Sequence, residues 1–247
     1  MPTQVGAMRT LAAIAAIVAV FAVVVFGAGS AFGVWDGGAG RASTPLGKAA
    51  KKTLKPHERL TMRDTAIARA AVIRSSNLAP RWRKIAPPAR SSHGCPGSKP
   101  DLSRFTITGK AQAMFKSPRV ASIDSKVKIF SNAGQADEYF RLTSGQAVLD
   151  CMRDGVEGML RDLGLSPKRL SAKLLTAPAF GEQTMIYTFS FSIAGADGHR
   201  YEYPVDVVTF RMGRAIAACS FSFIASKSDE VGLARVVAGR LSLSARS

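Results

Sequence analysis

The most regular pattern in the chain lies between residues 183 and 224. Met185, Tyr187, Phe189, Phe191 and Ile193 alternate with Thr184, Thr188, Ser190 and Ser192. A period of two is the mark of a half-buried strand. Met212-Gly213 reads as a turn joining two further apolar runs, so the segment predicts three antiparallel strands in succession. Residues 102–108 predict an earlier strand with Phe105 and Ile107 on one side. Residues 120–130 predict another, with Ile123, Val127 and Ile129 on one side and Asp124, Lys126 and Lys128 on the other. Residues 170–175 predict one more.

Helical spacing fills the intervals. A helix is expected to start at Thr61, whose hydroxyl can cap it, with Asp64 in the capping-box position and near the positive end of the dipole. Ile67, Ala70, Ala71 and Ile73 would form its apolar stripe, with Arg63, Arg69 and Arg74 off it and Asn77 as a left-handed C-terminal cap. Asn132 with Gln135 predicts a second start. Apolar residues from Ala136 through Tyr139, Phe140, Ala147, Val148, Cys151 and Met152 to Met159 and Leu160 continue that helix, and Ser144-Gly145 kinks or splits it. Residues 230–243 predict a closing helix with Leu233, Val236, Val237 and Leu241 inward. The order α, β, β, long α, β, β, β, β, α implies an α+β fold, a mainly antiparallel sheet of five or six strands packed against helices.

The N-terminus is of another kind. Residues 11–34 carry no charge, follow Arg9 and precede Trp35-Asp36. This run is long enough to cross a bilayer as a helix. An uncleaved anchor with Trp35 at the interface is one reading. A signal peptide cleaved near Gly29-Ser30-Ala31 is the other. Residues 37–56 have no hydrophobic periodicity and hold Arg41, Lys48, Lys51, Lys52 and Lys55, which predicts a flexible basic tether. Each of those charges is worth about 1 kcal/mol when close to anionic headgroups. The chain therefore divides into an anchor or signal peptide (1–36), a linker (37–56) and a folded domain (57–247). Positive charge after the apolar run argues for a cytoplasmic C-terminal side. A signal-like N-terminus and a long domain argue for export, and the expectation is a single-pass membrane protein with an extracytoplasmic domain, secreted if the N-terminus is cleaved.

Net charge changes the list of partners. The chain has 247 residues and a formal net charge of +17. That excess suits an anionic cell-envelope polymer or anionic lipid, and suits nucleic acid only if the domain faces the cytoplasm. There is no GxSxG elbow, HExxH pair or phosphate loop, so no catalytic residue or cofactor is assigned. The three cysteines and three histidines have no metal-ligand spacing. In an exported protein two of the cysteines can pair. Cys95–Cys151 is the expected bridge, Cys151–Cys219 the alternative, and three free thiols the outcome in the cytoplasm.

The meander offers candidate binding residues. With Met212-Gly213 as a two-residue loop, Asp206 falls opposite Cys219 and near Tyr187, on the face of Phe189, Phe210 and Phe221. A carboxylate there must be hydrogen-bonded or shifted in pKa. Asp206 and Tyr187 are one candidate pair, and their ordinary role is a structural bond. Tyr201 and Tyr203 fall on the opposite face with Val205, Val207, Ile216 and Ala218. Trp82, set among Arg81, Arg83 and Lys84, is a candidate stacking residue or a core plug.

Spaced residues also carry a resemblance. They include Leu60-Thr61, Asp64, Ala68 to Arg74, Asn77-Leu78 and Trp82, then Cys95-Pro96, Asp101-Leu102-Ser103 and Thr106 to Gly109. Ala121-Ser122, Val127, Ile129-Phe130, Ala147 to Cys151, Val208 and Arg211 to Ala215 complete the set. In this pattern the chain resembles the membrane-tethered extracytoplasmic domains of actinobacteria, which are similar to kinase sensor domains and PsbP-like lipoproteins. The resemblance implies a non-enzymatic sensor-like or binding domain. The chain has neither a kinase domain nor a lipid-attachment cysteine. The alternative is a cytoplasmic-facing basic domain that binds nucleic acid or anionic lipid.

Overall fold

Strand pairing sets the architecture. The computed structural model describes residues 56–87, 101–118, 121–162, 168–175, 180–194, 200–222, 224 and 227–244. In chain order these form β1 (His57–Glu58), α1 (Met62–Ala71), β2 (Arg83–Ile85), β3 (Thr106–Lys116), β4 (Ser122–Phe130), α2 (Ala133–Leu142), α3 (Gln146–Asp162), β5 (Lys168–Leu175), β6 (Gln183–Ala194), β7 (Arg200–Met212), β8 (Ala215–Ser222) and α4 (Lys227–Ser244). One eight-stranded sheet runs β1-β3-β4-β8-β7-β6-β5, with β2 also on β3. Every pairing is antiparallel except β1 with β3. The α+β expectation holds. The strand count exceeds it because β1 and β2 are too short to show a period.

Helices cover both faces of the sheet. On one face Ile123, Val127, Phe210, Ala217, Cys219 and Phe221 pack with Ala68 and Ala71 of α1 and Ala234, Val237 and Leu241 of α4. On the other, Phe105, Ile107, Phe130 and Ile216 pack with Ala136, Tyr139 and Phe140 of α2. Edge-to-face contact of Phe105 with Tyr139, at 5.4 Å between ring centres, fixes that corner. α3 lies against β5.

The helix starts follow their side chains. Thr61 Oγ1 accepts the Asp64 N–H at 3.1 Å, and Asn132 Oδ1 accepts the Gln135 N–H at 2.9 Å. The long helix is split: α2 ends at Leu142, and Gly145, at φ 98°, takes the left-handed conformation before α3. α1 stops earlier than expected. It ends at Ala71 because Val72 turns to extended backbone. Asn77 is not a left-handed cap but lies in a short 3₁₀ turn, where its Oδ1 accepts the Arg74 N–H. The inward face of α4 is carried by Ala234, Val237, Ala238 and Leu241.

Register corrects the meander in two places. The β7–β8 turn is Gly213-Arg214, with Met212 opposite Ala215, so Asp206 faces Phe221 and Val208 faces Cys219. In β6, Tyr187 lies opposite Val207 and Thr188 opposite Asp206. Asp206 and Tyr187 are therefore on opposite faces, and Phe189 goes with Tyr187. Adjacent sequence runs specify alternation within a strand, not the offset between strands. The expected anchor, all of the tether but Pro56, and Cys95 lie outside the described residues. Among the described residues no helix is long and apolar enough to cross a membrane.

Gly109 positions α1. It follows a register shift in β3, and a Cβ there would lie 2.4 Å from the carbonyl oxygen of Asp64. The first turn of α1 thus rests directly on the β3 backbone, and the Thr61 N–H donates to Thr108 O at 2.8 Å. Gly109→Ala is expected to cost about 2 kcal/mol or more in urea unfolding, since backbone must move. Gly239→Ala on the exposed side of α4, where a Cβ meets nothing within 4 Å, is expected to stabilise by about 0.5–1 kcal/mol.

Candidate functional site

Several ion pairs gather around the Gly213-Arg214 turn. Gly213, at φ 55°, allows the tight turn. Two arginines flank it and reach to opposite faces. Arg211 forms an ion pair with Glu182, donates from Nε to Gln183 Oε1 at 3.0 Å, and lies 3.6 Å from Asp137 of α2. Arg214 reaches α1: its NH1 donates to Asp64 Oδ2 at 2.7 Å and its NH2 to Asp64 Oδ1 at 2.5 Å. This is a bidentate guanidinium–carboxylate pair, which fixes orientation as well as charge. Arg214 also donates to Phe130 O at 3.3 Å. The hydrogen bonds from Arg214 hold the Asp64 carboxyl below its ordinary value against the opposing effect of burial. The same pair raises the Arg214 guanidinium.

Beside this pair opens a cavity of about 380 Å³. Ile67, Ile129, Ala133, Met212, Ala215 and Leu241 form its apolar walls, and Arg63, Arg214 and Ser244 its polar groups. The volume falls within the range of small-ligand sites, which combine apolar lining with a few converging polar groups. Asp64 neutralises Arg214, and Arg63 leaves the site positive. Among the described residues no carboxylate, imidazole or thiol lines it. The arrangement is suited to holding an anion with an apolar part.

A second polar group lies inside the domain. Asp124, 2% exposed, accepts from Gln112 Nε2 at 2.8 Å and lies 3.5 Å from Lys126, while its Oδ1 has no hydrogen-bond partner among the described residues. Burial pushes its carboxyl up. Lys128 Nζ donates to the Tyr139 hydroxyl at 2.9 Å, and burial drives its ammonium well below the usual lysine value. Alternation in β4 separates these residues from the apolar ones, but the same alternation describes an exposed polar face and a covered one.

The residues proposed from sequence are dispersed. Asp206 is buried on the α1–α4 face and accepts from the Thr188 hydroxyl. Tyr187, on the other face, accepts the Gly145 N–H at 2.9 Å, and burial pushes its phenol up to about 12. It ties the sheet to the α2–α3 turn. Tyr203 stacks on Phe191 with 5.2 Å between ring centres. Tyr201 pairs in register with Ile193. Trp82 is half-buried against the α1–α4 core. Asp206, Tyr187, Tyr203 and Trp82 are not among the described lining of the cavity. Cys151 is disulfide-bonded and Cys219 is a free, buried thiol, which overturns the alternative Cys151–Cys219 bridge. Sequence reasoning named Arg63 only as lying off the apolar stripe of the first helix and Arg214 only within the segment Arg211 to Ala215. Their convergence depends on packing between segments 150 residues apart.

Among the described residues no group of acidic, histidine or cysteine side chains is placed to hold a metal. No protein-family model and no curated protein matches the chain.

The two carboxyls predict opposite pH behaviour. Asp64 has its pKa lowered on folding, so its contribution is complete above the ordinary value of 3.8 and is lost as pH falls through the folded-state value. Arg214→Gln is expected to cost about 2 kcal/mol by urea unfolding from neutral pH down to about pH 4, with the difference from wild type shrinking below that. Asp124 has its pKa raised, so its charged form opposes folding at neutral pH. Asp124→Asn is expected to be more stable than wild type by about 1 kcal/mol at pH 7, the gap closing on acidification through the raised value.

Proposed function

We propose that this chain is a membrane-tethered, extracytoplasmic binding domain, non-enzymatic, and that the cavity beside Arg214 is its binding site for a small anion with an apolar part. The observation that carries this reading is the cavity itself, two guanidinium groups set over apolar walls. Guanidinium groups beside an apolar wall favour charge-assisted recognition of a carboxylate or phosphate. Ser244, the hydroxyl of the described lining, donates to Arg240 O at 2.9 Å with no general base lining the site beside it, which favours binding over chemistry.

The cysteines support the compartment. A disulfide at Cys151 favours an oxidising environment. With Cys219 free, we assign Cys95 as the partner of Cys151. The uncharged run at 11–34 and the resemblance to actinobacterial tethered domains support the tether. The second reading, a cytoplasmic basic domain binding nucleic acid or anionic lipid, draws on the net charge of +17.

Protease added to intact cells separates the two. The proposal expects the domain to be cut and the unfolded, unreduced chain to react with maleimide at Cys219 alone. Protection from protease together with three reactive thiols would overturn it. The site is tested by thermal unfolding of the full chain in nanodiscs. Hexanoate is expected to raise the midpoint, and hexanamide, its uncharged analogue, to leave it unchanged. Arg63→Glu is expected to abolish the hexanoate effect. Equal shifts with both compounds would remove the anion from the reading.

A further inference from the structure

The two arginines of the cavity are not equally open. Arg63 is exposed and, among the described residues, has no hydrogen-bond or ion-pair partner. Its five N–H donors are open to a ligand. Arg214 is engaged. Its NH1 donates to Asp64 Oδ2 and to Phe130 O, and its NH2 donates to Asp64 Oδ1. The end of that fork is closed, and the edge carrying Nε and NH2 remains for an incoming acid group.

Asp64 therefore shares a guanidinium with whatever acid group reaches Arg214. It is buried in the first turn of α1, next in sequence to Arg63, whose charge also helps to hold its carboxyl ionised. Two guanidinium charges less one carboxylate leave the site at +1. A monoanion matches that charge and a dianion exceeds it. The cost of drying an ion rises with the square of its charge, while its attraction to a fixed charge rises only in proportion. The second negative charge of a dianion also faces Asp64 across the width of one guanidinium, where like charges repel.

We propose that Asp64 is a specificity-determining residue, which sets the cavity to admit an organic monoanion, a carboxylate on an apolar chain, and to reject a phosphate-monoester dianion. This rests on the reading of the cavity as an anion site and narrows the class of anion it takes. Ile67, Met212 and Leu241 offer the chain of the ligand an apolar wall, which does not distinguish one acid group from another. The discrimination lies in the count of charges, and the carboxylate that fastens α1 to the hairpin supplies it.

The test is calorimetric titration of the full chain in phosphatidylcholine nanodiscs near neutral pH, with empty discs as the blank. Hexyl sulfate and hexyl phosphate share shape and chain, but the first carries one negative charge and the second close to two. Hexanoate adds a planar monoanion. The wild-type chain is expected to bind hexanoate and hexyl sulfate, and to bind hexyl phosphate about tenfold more weakly than hexyl sulfate. Asp64→Asn is expected to raise the affinity for hexyl phosphate relative to hexyl sulfate about tenfold. Ala133→Lys, at an exposed lining position, adds a positive charge without touching the Asp64–Arg214 pair and is expected to move the ratio in the same direction. Hexyl phosphate bound as tightly as hexyl sulfate by the wild-type chain would overturn the charge discrimination and leave the anion site standing. An unchanged ratio in a folded Asp64→Asn chain, or in Ala133→Lys where Asp64→Asn does not fold, would overturn it too. Binding of none of the three anions would overturn the site and the discrimination together.

Discussion

One ion pair joins the beginning of the fold to its end. Asp64 stands in the first turn of α1, and Arg214 in the last turn of the sheet. Their bidentate contact is possible because Gly109 lets α1 lie on β3 at backbone distance. A charged pair of this kind is costly to bury and worthwhile only when its geometry is nearly ideal. Here the guanidinium stays 38% exposed while the carboxylate is covered, so desolvation falls mainly on one partner. The polar lining of the cavity is a by-product of this joint. The arginine that ties α1 to the hairpin is the same one that faces the open space.

The two faces of the sheet solve burial differently. Under α1 and α4 the cover is almost wholly apolar. Its polar members are locally satisfied, as where Ser125 Oγ accepts the Ile73 N–H at 3.3 Å. Burial pushes the Cys219 thiol there up to about 12, so it packs as a small apolar group. The opposite face mixes aromatic side chains with Lys128, Asp124 and Gln112. Lys128 is accommodated by the hydroxyl of Tyr139, which supplies an acceptor. Arg211 completes that side by tying the hairpin to the segment before β6 and to α2.

Much of this was legible from residue patterns, and the remainder fails for identifiable reasons. The caps at Thr61 and Asn132, the break at Ser144-Gly145 and the β6–β8 meander follow from local rules that act over a few residues. The Asp206–Tyr187 pairing failed because a turn placed one residue early, and a strand offset read without its partner, assign side chains to the wrong neighbours. The β4 polar row was visible as alternation, but its burial was not, since the cover comes from elsewhere in the chain. The cavity was the least legible feature. Its lining comes from α1, α2, α4, β4 and the β7–β8 turn, and no motif spans them.

The edges of the sheet are finished unequally. On one side β1 and β2 pair with the two ends of β3, so both ends of that margin carry a partner. On the other side β5 ends the order with Leu174 and Leu175 partly exposed and Lys173 beside them. An open strand is a template for another strand, and lysine is a common guard against such pairing. The molecule therefore has a polarity for self-association. If copies crowd into a thin layer or are partly unfolded, they can add to one another along β5, while growth along β3 is obstructed. Lysine charge on β5 then guards that margin against such pairing.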